Sequence, residues 1–292
     1  MKSKAQEFFL EKTKKIGKET NTLEKRIFER PDIQELIKQE AIQSVHISGV
    51  CGKATSSLAG LFAEDGYSVS GSDTGCYPPA SDLIKELGIT FYEGFKPEHV
   101  ADKDLVVIAN MFGPDNIEAE YVREHNRPQV SMSEAIRRFF IKDKKSIVIC
   151  GTHGKTTTTG LMAHVFLCAN KQPGFVVGGV AVKTNNGITE TSFSTGSKTT
   201  EYFIIEGDEY DTSYFDKSPK FLHYNPHIAV VTSMEFDHAD IYKDFEEYKK
   251  SFVFLAEEMK KDGLLVLNGD SEEVRSLSNY TESNVLYYGL EK

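Results

Sequence analysis

Residues 146–160 read Ser-Ile-Val-Ile-Cys-Gly-Thr-His-Gly-Lys-Thr-Thr-Thr-Thr-Gly, and no other stretch limits the possible folds as strongly. A short, β-branched apolar run enters a turn with two glycines, and a helix opens at Lys155 and Thr156. That order aims backbone N–H groups and the positive end of a helix dipole at one point, which suits a phosphate. Lys155 supplies a cation for the outer phosphates of a nucleotide, and the Thr156 hydroxyl a ligand for Mg²⁺. The usual phosphate-loop pattern also wants a glycine five residues before Gly154, and that position is Ile149. Gly151, Thr152, His153, Gly154, Lys155, Thr156 and Thr157 are the candidate loop residues. The competing reading is an ordinary strand-to-helix turn with a surface lysine. A strand feeding such a loop belongs to a parallel sheet, so the fold class is α/β.

The 292 residues suffice for about two domains of ordinary size. A composition 39% hydrophobic and 27% charged supports packed cores rather than disorder. A net charge of −10 with no basic stripe argues against a nucleic-acid partner. The four cysteines, at 51, 76, 150 and 168, show no Cys-x-x-Cys spacing. Neither a zinc ribbon nor a disulfide framework is expected, and the thiols read as reduced ones in a cytosolic protein. No apolar run reaches membrane-spanning length, and no apolar segment follows the charged N-terminus. The expectation is a soluble, cytoplasmic protein with no membrane partner.

Residues 1–43 read as a helical N-terminal extension rich in lysine and glutamate. Ile33, Leu36, Ile37 and Ala41 fall at helical spacing after Pro31, and Phe8, Phe9 and Leu10 begin a second helix. Its mixed-sign charge suits a solvated helical face; an arm that docks a partner is the sharper alternative. Residues 44–142 alternate strand and helix: strand from Val45, turn Gly49-Val-Cys-Gly52, helix Ala54–Ala63, and a second strand ending in Asp73. This is a βαβ unit with a carboxylate where a ribose-binding acid belongs, although the glycines follow Gly-x-x-Gly rather than a full dinucleotide fingerprint. Further repeats follow, ending in a helix over Ser133–Phe140. Ligands of such sheets bind at the carboxyl ends of the strands, so Gly49, Gly52, Asp73 and Asn110 are candidate contacts. The polar run Lys142-Asp-Lys-Lys145 marks a hinge, and residues 143–292 form a second parallel-sheet domain built on the phosphate loop. Within it, Lys183–Lys198 reads as a mobile loop or hairpin.

Two strand ends in this second domain are unusually acidic. Glu206-Gly-Asp-Glu-Tyr-Asp211 puts four carboxylates within six residues directly after an apolar strand. Clustered acids repel one another unless cations are present, so Glu206 beside a phosphate loop is a candidate Mg²⁺ ligand. Glu235-Phe-Asp-His-Ala-Asp240 repeats the arrangement, with His238 a second cation ligand or proton handler.

Gly151-Thr-His-Gly-Lys-Thr-Thr-Thr-Thr159, Glu206-Gly-Asp-Glu209 and Glu235-Phe-Asp-His-Ala-Asp240 together resemble the Mur ligases of peptidoglycan synthesis. The resemblance runs from about Val45 to the C-terminus. It implies a Rossmann-like N-terminal domain followed by a P-loop-type, ATP-binding central domain. It also implies an ATP- and Mg²⁺-dependent ligase that joins the carboxylate of UDP-N-acetylmuramic acid to an amine through an acyl phosphate. Gly71-Ser-Asp-Thr-Gly-Cys-Tyr-Pro-Pro-Ala-Ser81, Lys171-Gln-Pro-Gly-Phe-Val-Val-Gly-Gly179 and Phe215-Asp-Lys-Ser-Pro-Lys-Phe-Leu-His-Tyr224 resemble one branch, whose amine is the cell-wall tripeptide L-Ala-γ-D-Glu-meso-diaminopimelate. The L-alanine-adding branch and a non-catalytic nucleotide-sugar-binding module are the alternatives. By resemblance, Lys155, Glu206 and His238 are catalytic, and Thr156, Glu206 and His238 hold metal. Asn268 and Asp270 lie near adenine, and Gly49, Gly52, Asp73 and Asn110 hold the UDP moiety. Members of the family carry a third, C-terminal domain, expected here in cis or on another chain.

Overall fold

The computed structural model describes residues 4–14, 35–36, 41–178, 191–237 and 241–290. The chain opens with α1 (Lys4–Lys14). Ala5, Phe9 and Leu10 on one side of α1 are buried, and the rings of Phe8 and Phe9 pack against Phe254 at centroid distances of 5.4 and 5.7 Å. Lys12 donates to the Ile241 carbonyl (3.1 Å) and pairs with Glu247 (3.0 Å). The expected solvated helix therefore docks its apolar side on the second half of the chain. Of the helix expected after Pro31, Glu35, Leu36 and Ala41 fall within the described residues; Glu35 and Leu36 are helical, while Ala41 is not, although its N–H donates to the Leu36 carbonyl at 2.9 Å.

A five-stranded, wholly parallel sheet follows, in the order β3-β2-β1-β4-β5. Its elements are β1 (Ser44–Ser48), α2 (Lys53–Glu64), β2 (Ser68–Asp73), α3 (Ala80–Glu86), β3 (Thr90–Glu93), β4 (Leu105–Ile108), α4 (Ile117–Glu124), β5 (Gln129–Ser131) and α5 (Met132–Ala135). The helix expected over Ser133–Phe140 continues beyond α5 as a π-helical stretch, Ile136–Ile141. Its wider turn seats Phe139 and Phe140 against Phe62, with ring centroids 5.1 and 5.0 Å away.

Strand alternation gives β1 two different faces. Val45 and Ile47 enter the main core, while His46 and Ser48 meet the fully buried carboxylate of Glu118, which α4 supplies. One Glu118 oxygen accepts from Ser48 and Ser72 (2.6 Å each), and the other faces His99 Nδ1 at 2.9 Å. His46 lies between the hydroxyls of Ser70 (3.0 Å) and Ser72 (3.1 Å). Burial alone pushes the Glu118 carboxyl upward. The bonds from His46, Ser48 and Ser72, with the charge of His46, outweigh it and bring the group to about 2.

The second sheet has seven strands in the order β14-β13-β12-β6-β9-β7-β8, parallel except for the β7–β8 pair. In chain order its region contains β6 (Lys145–Cys150), α6 (Lys155–Cys168), β7 (Gly174–Val176), β8 (Phe193–Ser194) and β9 (Tyr202–Gly207). Then come the hairpin β10 (Asp211–Ser213) and β11 (Asp216–Pro219), α7 (Lys220–His223), β12 (Ile228–Val231), α8 (Phe245–Glu258), β13 (Leu264–Asn268), α9 (Glu272–Arg275) and β14 (Asn284–Tyr288). The stretch expected as a mobile loop or hairpin contributes β8, antiparallel to β7; its residues 183–190 lie outside the described residues. The hairpin β10–β11 has no alternating apolar pattern to announce it.

The two sheets share one continuous core. Helix α2 lies against β8, and a Cβ on Gly60 would run into the Phe193 ring. Ser57 and Ser192 hydroxyls meet at 3.0 Å, and the Thr195 N–H donates to Glu64 at 2.8 Å. At the expected hinge, Lys145 already belongs to β6, and Lys144 donates to the Thr195 carbonyl at 3.0 Å. Among the described residues, no helix is long and apolar enough to cross a membrane.

Candidate functional site at the carboxyl edge of the second sheet

Strand β6 stands where the strand order reverses: β9 and β7 lie on one side, β12, β13 and β14 on the other. Ligands of open parallel sheets bind at such a point, beyond the carboxyl ends. Here the loop after β6 turns through Gly151 (φ +124°) and Gly154 (φ +82°), the latter directly before α6. A Cβ on Gly151 would collide with Thr232 and Ser233, so the glycine is required twice over, by conformation and by space. The loop hangs from the end of β12. The His153 N–H donates to the Ser233 hydroxyl (2.9 Å), the Thr232 hydroxyl to the His153 carbonyl (2.6 Å), and the Thr152 N–H to the Ser233 carbonyl (3.2 Å). Thr152 also meets the Tyr248 hydroxyl at 2.7 Å and accepts from the Glu235 N–H at 2.9 Å. Thr157 is exposed in the first turn of α6.

The Lys155 ammonium lies under this loop. It donates to the Gly151 carbonyl (2.6 Å) and sits 3.1 and 3.0 Å from the two oxygens of Glu209, a fully buried carboxylate. The Tyr242 hydroxyl donates to the Glu209 carbonyl at 2.6 Å and holds its backbone. Next along α6, the Thr156 hydroxyl donates to one Glu206 oxygen at 3.1 Å, and the Gly178 N–H donates to the other. Glu206 reaches this point because β6 and β9 pair in register, with Ile149 opposite Glu206.

The acidic cluster is resolved differently from the sequence expectation. Asp208 pairs with Lys220 (2.6 Å), Asp211 with Lys217 (3.0 Å) and Glu209 with Lys155 (3.0 Å). Side-chain cations thus answer three of the four carboxylates, and their clustering does not require a metal. Burial would raise the Asp208 carboxyl, but Lys220 beside it holds it below the ordinary range. Among the described residues, Glu206 alone of the four has no lysine beside it. The hydroxyl of Thr156 and the carboxylate of Glu206 are two adjoining oxygen donors. That set suits Mg²⁺, which takes one or two protein oxygens and keeps several waters. Among the described residues, no three His, Cys, Asp or Glu side chains converge as a ready metal-binding group. His238 and Asp240 lie outside the described residues.

Asn268 and Asp270 also reach this edge, at the end of β13. Asn268 donates to the Thr232 carbonyl at 3.0 Å, and Asp270 accepts from the Leu290 N–H at 2.8 Å. Sequence reasoning missed Ser233 and Tyr248, which come from distant segments, and singled out Gly178 only as part of the Lys171–Gly179 resemblance, not for its bond to Glu206. Glu209 was visible as one acid of the cluster, but its pairing with Lys155 follows only from the fold.

At the carboxyl edge of the first sheet, Gly49 (φ +87°) turns the chain after β1, and Gly52 precedes α2. Asn110 is exposed two residues past β4, across the switch point between β1 and β4. Asp73 ends β2 and accepts from the Cys51 N–H (3.0 Å) and the Thr74 N–H (2.8 Å). The four predicted contacts therefore share one edge. One expectation is overturned: Cys51 and Cys76 form a disulfide, with Cα atoms 5.3 Å apart, and Cys150 and Cys168 are the two cysteines outside it. The 25-residue separation concealed the pair; the β1–β2 register, Ser48 opposite Ser72, sets their two loops side by side.

Two parallel sheets in tandem, the second carrying a phosphate-type loop, are the frame of a ligase family. The model of the Mur ligase family catalytic domain matches residues 44–143, and that of the Mur ligase middle domain matches residues 149–292. This chain belongs to the Mur ligase family. It is similar to the crystal structure of UDP-N-acetylmuramate:L-alanyl-gamma-D-glutamyl-meso-diaminopimelate ligase from Neisseria meningitides, with a TM-score of 0.77 and 33% identity over 84% of this chain and 78% of that one. The Escherichia coli K12 UDP-N-acetylmuramate–L-alanyl-gamma-D-glutamyl-meso-2,6-diaminoheptandioate ligase is 37% identical over 223 residues, 76% of this chain and 47% of the relative. The UDP-N-acetylmuramate–L-alanine ligase of Dictyoglomus turgidum is 36% identical over 253 residues, 84% of this chain and 50% of the relative. The chain spans about half the length of the curated relatives it matches.

Proposed function

We propose that this chain supplies the UDP-N-acetylmuramic acid and ATP sites of a ligase that joins the muramoyl carboxylate to the amine of L-Ala-γ-D-Glu-meso-diaminopimelate. The carrying observation is the convergence of Lys155, Thr156 and Glu206 at the switch point of the second sheet. Residues 44–142 form the UDP-substrate domain and residues 143–292 the ATP domain, with residues 1–43 an extension. Gly49, Gly52, Asp73 and Asn110 hold the UDP moiety, and Asn268 and Asp270 lie toward adenine.

A carboxylate is a poor electrophile at neutral pH. Transfer of the γ-phosphoryl group of ATP to a carboxylate oxygen releases ADP and leaves an acyl phosphate. The amine then attacks the carbonyl carbon, phosphate departs with the electron pair of the broken C–O bond, and the amine loses a proton. Lys155 and the N–H groups of residues 151–157 hold the β- and γ-phosphates, exchanging the bond to Glu209 for bonds to phosphate oxygens. Thr156 and Glu206 would hold Mg²⁺, and His238 would serve a second ion. Bound Mg²⁺ offsets the repulsion between triphosphate and carboxylate. The use of ATP and a UDP-linked sugar fits a cytoplasmic reaction.

The L-alanine ligase is the second reading, because 36% identity to that relative stands beside 37% to the tripeptide ligase. Comparison of L-alanine with the tripeptide as amine donor separates the two. For the ATP site, Glu206→Gln should shift the Mg²⁺ titration of ATP binding to higher metal concentration. An identical titration would remove Glu206 from the metal.

A further inference from the structure

The disulfide lies at the predicted substrate edge of the first sheet. Cys51 belongs to the turn between β1 and α2, and Cys76 to the loop between β2 and α3. Up to Asp73 the two connections are already tied together. The Gly49 and Val50 N–H groups donate to the Ser72 carbonyl (2.8 and 3.2 Å), the Cys51 N–H donates to Asp73 (3.0 Å), and Gly71 packs directly under Val50. Past Asp73 the chain swings outward: Thr74, Tyr77, Pro78 and Pro79 are exposed, and Tyr77 keeps 77% of its surface in solvent. The bridge draws that outgoing loop back to the turn that carries Gly49 and Gly52. Both cysteines are only half-buried.

We propose that Cys51 and Cys76 form a redox-modification site, and that the bridged state holds the first-domain ligand site in order for a UDP-linked sugar. This rests on the reading of that edge as the UDP-N-acetylmuramic acid site. A dithiol opens the bridge: its thiolate attacks one sulfur, the S–S bond breaks through a mixed disulfide, and the second thiol of the reductant closes that intermediate. Two electrons and two protons pass to Cys51 and Cys76, which become thiols, and the reductant leaves as a disulfide. Substrate must then order the Thr74–Pro79 loop itself, and ordering a loop on binding lowers affinity. In a reducing compartment, disulfides of mesophile proteins are typically transient or redox-sensing, which matches a site that opens and closes rather than a permanent staple. The other thiols do not compete for this role. Cys150 is buried, and burial, with Glu209 nearby, pushes its thiol upward and leaves it unreactive; Cys168 lies on α6, away from this edge.

The test counts thiols and measures affinity on the same 292-residue preparation. Under denaturing conditions, the air-equilibrated chain should show two thiols, and the dithiol-treated chain four. On reduction, the Kd for UDP-N-acetylmuramic acid should rise about five- to tenfold, as expected for a loop that must be ordered on binding. Cys76→Ser should match the reduced chain and ignore reductant, with a far-ultraviolet spectrum confirming that it folds. Four thiols before reduction, or one Kd in both states, would overturn the redox site and leave the substrate reading intact. No binding in either state would overturn the substrate reading, and the redox control of that ligand with it.

Discussion

The Lys155 ammonium has three protons, and they go to the Gly151 carbonyl at 2.6 Å and to Glu209 at 3.0 and 3.1 Å, with Thr152 O 3.3 Å away. In the proposed ATP complex, phosphate oxygens replace the carboxylate. Each charge-assisted bond is worth about 1.5–3 kcal/mol, so Lys155→Ala should weaken Mg-ATP binding by about tenfold or more, read by calorimetry. Unchanged affinity would end the phosphate-loop reading. Glu209 makes a separate prediction. Leaving one partner of a buried ion pair alone costs about 3–5 kcal/mol, so Glu209→Gln and Lys155→Ala should each lower the melting temperature, and the double variant should lose less than their sum. Strict additivity would mean that the pair does not couple. Sequence alone exposed the loop, because its chemistry is local: two glycines, a lysine and a threonine at fixed spacing. The Lys155–Glu209 pair was not legible. It spans 54 residues and depends on the register of β6 against β9.

At the scale of elements, the buried cluster around Glu118 ties α4 to β1 and β2 immediately before the residues that turn into Gly49 and Asp73. The titratable groups facing this carboxyl are His46 and His99, with Tyr92 stacked on His99 at 4.3 Å. Its folded value of about 2 lies below the ordinary 4.5. A depressed carboxyl stabilises the fold above the unfolded value and loses that contribution as pH falls toward the folded one. The linkage is on the order of 3 kcal/mol. Acid unfolding of the native chain should therefore steepen between about pH 5 and pH 2, and Glu118→Gln should flatten that limb while lowering stability at pH 7. Identical slopes would show that Glu118 does not carry the linkage.

Most elements were legible at this scale, because apolar runs such as Leu105–Ile108 and Ile228–Val231 sit between turn residues. The π-helical stretch at Ile136–Ile141 was not, since packing on Phe62 selects it. Nor was the disulfide, which depends on two parallel strands bringing their outgoing loops together.

For the whole molecule, two switch-point edges belong to one packed body, joined where Gly60 on α2 admits the Phe193 ring from β8. One edge is read as holding the muramoyl nucleotide and the other ATP, and the chemistry requires the carboxylate and the γ-phosphate to meet. Closing motions commonly bring such groups together. The identity of the acceptor is tested by UDP-N-acetylmuramic acid titrated calorimetrically into the chain, with UDP-glucose as the control. The expectation is saturable binding of the muramoyl nucleotide and much weaker binding of UDP-glucose. Equal binding of both, or none while Mg-ATP still binds, would contradict it.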